Sequence, residues 1–272
     1  MTSNEFSFSK FAENAFYSKI NDRLVEMADV KSGQRIVDLA CGTGLVTELI
    51  ADRMRGAKNS VIIAIDQSSI SLKQAMENLA EVRDAAIQFI QSRVELLSET
   101  LKESADTIIF CNAIHYISDK DVLVTDISKA LKPGGTFAFN TSFFDGGQHP
   151  DSLAFYRKWM LKSLRILRRE YGLSPVRADK VESRNHLTPQ EYKVLLQNNG
   201  FTVAKQEIDT ISVPLEGWLD ISDFEDFIQG TMPGVDLVKA SSALKKGVAQ
   251  TYQEMEIESV PRNWMRVVST RS

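Results

Sequence analysis

Much is scarce in this chain of 272 residues, and each scarcity excludes something. There are only two cysteines, Cys41 and Cys111, and three histidines. No C-x-x-C pair occurs, and no His/Asp/Glu cluster falls at metal-ligand spacing, so no metal site is expected. Two isolated cysteines make no disulfide framework. The expectation is two reduced thiols, acting as small hydrophobes in a cytoplasmic protein. No apolar run reaches the roughly eighteen residues needed to span a bilayer. The start, Met1-Thr2-Ser3-Asn4-Glu5, has neither a basic nor an apolar leader region, which argues against secretion. Charge is nearly balanced: 32 Lys and Arg against 36 Asp and Glu give a net of −4. With no basic cluster interleaved with aromatics, a nucleic-acid partner is not expected.

What is present is concentrated near the first third of the chain. An apolar run, Arg35-Ile36-Val37-Asp38-Leu39, meets Ala40-Cys41-Gly42-Thr43-Gly44, and a helical pattern follows from Leu45. A second apolar run, Val61 to Ile65, ends at Asp66. A strand, a turn without bulky side chains, a helix and an acid at the next strand tip make a nucleoside-binding half-site. The glycines let backbone approach a ligand, and the Asp66 carboxylate can accept both ribose hydroxyls. A dinucleotide site is disfavoured, because Thr47 stands where G-x-G-x-x-G needs its third glycine and no Tyr-x-x-x-Lys pair occurs near the fifth strand. The turn is not followed by G-K-[ST], so it is no phosphate-cradling loop.

The spelling Asp38 to Gly44 resembles the first motif of the class I S-adenosylmethionine-dependent methyltransferases of small-molecule type. Ala105–Ile117 is similar to that family's fourth strand and following loop, and Leu131–Phe139 to its turn into the fifth. The resemblance is good over roughly residues 30–145. It returns at 187–210 and in the last ten residues, and elsewhere covers only the layout.

The resemblance implies a doubly wound, Rossmann-like α/β fold with a seven-stranded sheet of order 3-2-1-4-5-7-6, the last strand antiparallel, carrying helical cap insertions. It divides the chain into an N-terminal helical segment (1–30), a cofactor-binding core (31–144), a first cap insertion (145–187), a core helix and sixth strand (188–212), a second cap insertion (213–260) and a last strand (261–272). It also implies S-adenosyl-L-methionine as cofactor. Asp38 would hold the methionine amine, directly or through water. Ala40, Gly42, Thr43 and Gly44 would line the methionine portion, and Asp66 would take the ribose. Gln67 and Ser68 would flank the adenine, and Asn112 would offer its carbonyl to the amine. One position departs from the family pattern. Ser92-Arg93-Val94 replaces a Gly-Asp-Ala whose acid accepts the adenine amino group. Here the amide of Val94 and the stem of Arg93 would serve the adenine, with Glu95 as a substitute acceptor.

Methyl transfer from a sulfonium needs collinear positioning and exclusion of water, and a base only where the acceptor must lose a proton. His115, just past Asn112, is the candidate base, with a packing role equally open. Tyr17, Tyr116, Asn140 and His149 are candidate substrate contacts, with His186 and Asp145 as further possibilities. Residues 9–29 read as one aromatic-rich helix, and Ser174–Asn185 as loop. Residues 151–171 read as a helix with an apolar face of Leu153, Tyr156, Met160, Leu164, Leu167 and Tyr171. Its six basic residues fit a membrane surface, an acyl carrier or an anionic substrate handle, or simply a solvated face. The large side chains of 213–260 favour a small or medium, largely apolar acceptor. The alternative is a protein of this fold that binds the cofactor but acts as a cyclase or a non-catalytic partner.

Overall fold

The computed structural model describes residues 6–56, 59–82, 85–176 and 185–272. Residues 177–184 of the expected loop therefore lie outside the described residues. Seven strands form one sheet: β1 (Arg35–Leu39), β2 (Val61–Asp66), β3 (Ala86–Gln91), β4 (Ala105–Cys111), β5 (Leu131–Thr141), β6 (Phe201–Pro214) and β7 (Ser259–Arg271). Their order is β3-β2-β1-β4-β5-β7-β6. β1 to β5 pair in parallel, and β7 runs antiparallel to β5.

The helices are α1 (Ser9–Ala12), α2 (Ala15–Ala28), α3 (Leu45–Arg53), α4 (Ser69–Asn78), α5 (Leu97–Thr100), α6 (Lys120–Ala130), α7 (Leu153–Tyr171), α8 (Pro189–Asn198), α9 (Leu215–Ile221), α10 (Glu225–Thr231) and α11 (Leu237–Met255). The chain divides into two compact units. The first comprises Ser18–Asp145, His186–Ile208 and Trp264–Ser272. The second comprises the N-terminus to Tyr17, Gly146–Asn185 and Asp209–Asn263.

In the first unit the strand alternation sorts the core into two layers. Val37, Leu39, Ile63, Ile65, Ile108, Phe110, Phe137 and Phe139 point to one face, where Leu123, Val124 and Ile127 of α6 and Leu195 and Leu196 of α8 pack. Ile36, Ile62, Ile109 and Ala138 point to the other, beneath Leu24 and Val25 of α2 and Ile50 of α3. Burial on both faces explains why these strands read as continuous apolar runs. Caps fix the helix starts: Asp119 accepts from Val122 N at 2.9 Å, and Thr188 and Glu191 form a capping box.

Two elements differ from expectation. The helix expected over 9–29 is broken between α1 and α2, where the Asn14 side chain donates to the Phe11 carbonyl and to Asp220 Oδ2 (2.8 Å). Such side-chain bonding competes with helix continuation. β5 starts at Leu131, directly after α6. Ala105 pairs Leu131 and Thr107 pairs Thr136, so Lys132–Gly135 bulge from the ladder. Pro133 has no N–H to give it, and Gly134 sits at φ +77°.

The second unit has its own core. Trp159 of α7 lies 5.5 Å from Trp218 and stacks on Phe227 at 5.7 Å, and Phe155 meets Tyr252 edge-on at 5.6 Å. Trp159 Nε1 donates to the Leu244 carbonyl (2.9 Å) and Tyr252 donates to the Val213 carbonyl (2.9 Å). The buried stripe of α7 is Phe155, Trp159, Ser163, Ile166 and Leu167. The buried face is thus rotated from the expected one: Leu153 and Leu164 are exposed. Gly247 of α11 allows a close crossing, since a Cβ there would run into Ser163 Oγ and stand 2.9 Å from its backbone nitrogen.

Candidate functional site

The carboxyl ends of β1, β2 and β4 bring most of the expected residues together in the first unit. After β1 the chain turns sharply through Ala40 (φ +58°), Gly42 (φ +53°) and Gly44 (φ +94°). Cys41 N donates to the Ile65 carbonyl (2.9 Å), and Gly44 N to the Cys41 carbonyl (3.0 Å). The two glycines do different jobs. A Cβ on Gly44 would stand 2.9 Å from Leu79 Cδ1 and 3.2 Å from Ala75 Cβ, so this position serves the packing of α3 against α4. A Cβ on Gly42 would meet nothing within 4 Å, so this backbone is open to a ligand.

Asp66 ties the loop to the next strand. Its Oδ2 accepts from Gly42 N (2.9 Å) and its Oδ1 from Ser68 N (2.8 Å). Each oxygen keeps a lone pair for a further donor. Ser68 caps α4 by accepting from Ser71 N (3.2 Å). Gln67 is exposed, and its carbonyl accepts from Gln91 Nε2 (3.1 Å). The Thr43 carbonyl accepts from Asn78 Nδ2 (3.0 Å).

Asp38 is buried at the end of β1. Thr47 Oγ1 donates to its Oδ2 at 2.6 Å. Desolvation pushes its pKa up to about 7, the Thr47 bond works against that rise, and the negative charge of Asp66 adds to it. No Lys or Arg pairs with either carboxylate among the described residues. Desolvation, then the nearby carboxylate charge, also raises the thiols of Cys41 and Cys111. Both are free. The residues fit a ligand carrying positive charge and hydrogen-bond donors, and they oppose a phosphate.

Asn112, directly after β4, sits in the left-handed region at φ +50°. Its N–H donates to the Asn140 carbonyl (3.1 Å) and to Asn140 Oδ1 (2.9 Å). Its Oδ1 accepts from Trp264 Nε1 (2.8 Å), and its Nδ2 donates to Asn21 Oδ1 (3.2 Å). Asn140 Nδ2 donates to the same Asn21 oxygen (2.9 Å). Asn140 is fully buried, so its side chain supports Asn112.

His115 is also buried. Its Nδ1 lies 3.1 Å from Thr141 Oγ1, and its ring lies 4.2 Å from Phe143 and 4.2 Å from Tyr116. Arg93 is exposed and pairs with Glu95 Oε1 at 3.3 Å, beside the short 3₁₀ turn that Val94 opens. Asp145 N donates to the Leu187 carbonyl (2.9 Å), and the His186 ring lies 6.2 Å from Phe143. Tyr17 and His149 belong to the second unit. There Tyr17 packs on Phe8 and Phe11, and His149 accepts from Asp151 N (3.3 Å). Among the described residues no group of three or more His, Cys, Asp or Glu could hold a metal ion.

Sequence reasoning missed three partners. Thr47 counted only as a missing glycine, although nine residues from Asp38 on the first turn of the next helix is a spacing that lets the two meet. Asn21 and Trp264 carried no signal, because the strand ends that gather them are far apart in the chain.

Residues 30–200 match the family described as "Methyltransferase domain". Over 129 residues the chain is 34% identical to a probable S-adenosylmethionine-dependent methyltransferase of Saccharomyces cerevisiae, covering 46% of this chain and 41% of that protein. The chain thus spans about two fifths of that relative's length. A putative methyltransferase from Bacillus halodurans has a related fold, with TM-score 0.56 at 15% identity, covering 93% of this chain and 98% of the other. So does the [4+2]-cyclase SpnF, with TM-score 0.57 at 15% identity, covering 95% and 85%. With the family matched across more than half its length and the glycine loop, Asp38 and Asp66 gathered at one end of the sheet, this chain belongs to the methyltransferase-domain family.

Proposed function

We propose that the chain binds S-adenosylmethionine at the tips of β1, β2 and β4 and directs its methyl group onto a small-molecule acceptor. The observation that carries this reading is the pair Asp38 and Asp66, two neighbouring carboxylates without a basic partner beside an open Gly42. Such a site favours a cation over a pyrophosphate. When bound, the cofactor supplies a methyl group already activated by the sulfonium charge.

The protein's own residues then hold and shield. Asp38 and the Asn112 carbonyl accept from the amine, and the backbone of Ala40, Gly42, Thr43 and Gly44 lines the methionine portion. Asp66 uses its remaining lone pairs for the ribose hydroxyls. Gln67, Ser68 and the Val94 amide border the adenine, and Glu95, bridged to Arg93, keeps an oxygen for its amino group. His115 is the proton acceptor where the acceptor carries a proton, with Tyr116 beside it orienting the substrate. Positioning and water exclusion supply most of the rate.

The aromatics of 213–260 pack into a core, Trp218 against Trp159, and so do not choose the acceptor. The fold likeness to a cyclase is a likeness of fold alone; intact Asp38, Gly42, Gly44 and Asp66 support cofactor binding, and methyl release to an acceptor decides between the two readings. No helix among the described residues is long and apolar enough to cross a membrane. The test is incubation of the purified protein with methyl-labelled cofactor and a small-molecule extract. A labelled product found by mass spectrometry is expected. Cofactor binding without any labelled product would favour the non-transferring reading.

A further inference from the structure

The proposed chemistry leaves one surface of α7 without a task. The inner stripe of this helix packs on α11, through Trp159 at the Leu244 carbonyl and Ser163 at Gly247. The outer stripe reads Leu153, Arg157, Leu161, Leu164, Arg168, each three or four residues from the last and so in one line along the helix. The three leucines are 54%, 54% and 38% exposed. Arg165 and Arg169 are exposed beside that line.

The charges on this helix separate into matched and unmatched. Lys158 and Lys162 share Glu254, and Glu170 pairs with Lys246. The guanidinium groups of Arg157, Arg165, Arg168 and Arg169 make no ion pair or hydrogen bond with the described residues. Among the described residues, four guanidinium groups thus stand without an acidic partner on a chain whose net charge is −4. Charge on this face has been concentrated rather than balanced.

Two requirements choose the partner. The arginines call for anions, and the leucines between them call for an apolar phase in the same plane. A lipid surface with anionic headgroups provides both, with leucines entering the acyl boundary and arginine stems reaching back to the headgroups. An acidic protein patch answers the charge but leaves the leucines in water unless it carries matching apolar sites. We propose that the outer face of α7 seats this protein peripherally on an anionic lipid surface, the helix axis lying in the plane of the interface.

The experiment is co-sedimentation of the full chain with vesicles of phosphatidylcholine and phosphatidylserine, and with vesicles of phosphatidylcholine alone. Binding to the mixed vesicles only, weakened by added salt, is expected. Arg165→Gln with Arg168→Gln should lower partitioning on the order of tenfold. Leu161→Ser should also lower it, at unchanged charge. Circular dichroism should be unaltered in these variants, because the three side chains lie outside the core. Failure to bind the mixed vesicles, equal binding to neutral ones, or an unimpaired double-arginine variant would overturn the proposal. Loss with the arginines but none with Leu161→Ser would also overturn it, since charge attraction alone would then hold the protein without the leucines entering the acyl boundary.

Discussion

At the scale of single residues, Asp38 carries the sharpest consequence. Its carboxyl is held at a pKa of about 7 by burial, above the unfolded value of about 4. Ionising it therefore destabilises the ligand-free fold as pH rises between those two values. Asp38→Asn should raise the midpoint of thermal unfolding at pH 8, a stabilisation on the order of 2–4 kcal/mol, and leave it almost unchanged near pH 4. A ligand ammonium needs the ionised form. S-adenosylhomocysteine affinity should accordingly climb from about pH 6 to about pH 8, and Asp38→Asn should flatten that profile. A flat profile in the parent protein would remove Asp38 from amine recognition.

Asp66 differs, because its oxygens already hold Gly42 N and Ser68 N. Asp66→Ala should weaken S-adenosylhomocysteine binding by about 1–3 kcal/mol, and Asp66→Asn by less, since one acceptor oxygen survives. Unchanged affinity in the alanine variant, read by calorimetry, would end its ribose role. Both acids were legible in the sequence because each stands at the end of an apolar run. The Thr47 bond and the asparagine network were not, because they depend on side-chain direction and on strand ends distant in the chain.

At the scale of elements, the two strands that flank the glycine turn and its helix, Arg35–Leu39 and Val61–Ile65, could be placed to within a residue. Apolar runs bounded by Gly, Pro and capping residues mark such elements strongly. Faces were harder to assign. The apolar residues of α7 are spread around the helix, and periodicity alone chose Leu153 and Leu164, while tertiary packing buries Phe155 and Trp159. The aromatics of α9 to α11 choose no acceptor, since large side chains fill a core as readily as they line a ligand site. Trp159→Ala should destabilise the protein by about 3–5 kcal/mol, and Gly247→Ala by about 1–3 kcal/mol through the forced separation of α7 and α11. Urea unfolding checks both. If Gly247→Ala left the midpoint unmoved, the close crossing at Ser163 would be wrong.

At the scale of the whole molecule, strand order and the reversed seventh strand followed from a family resemblance that local pattern could not have replaced. Five parallel strands joined by helices are compatible with several sheet orders. The acceptor was not legible, because one sheet end serves many chemistries and the residues that choose among them lie on variable insertions. The central claim is that the strand tips hold an adenosine compound carrying a positively charged amine. Calorimetric titration of the purified chain with S-adenosylhomocysteine, alongside NAD, tests it most directly. One site of micromolar affinity for the former and no heat with NAD is the predicted result. No binding of S-adenosylhomocysteine, or preference for NAD, would contradict it.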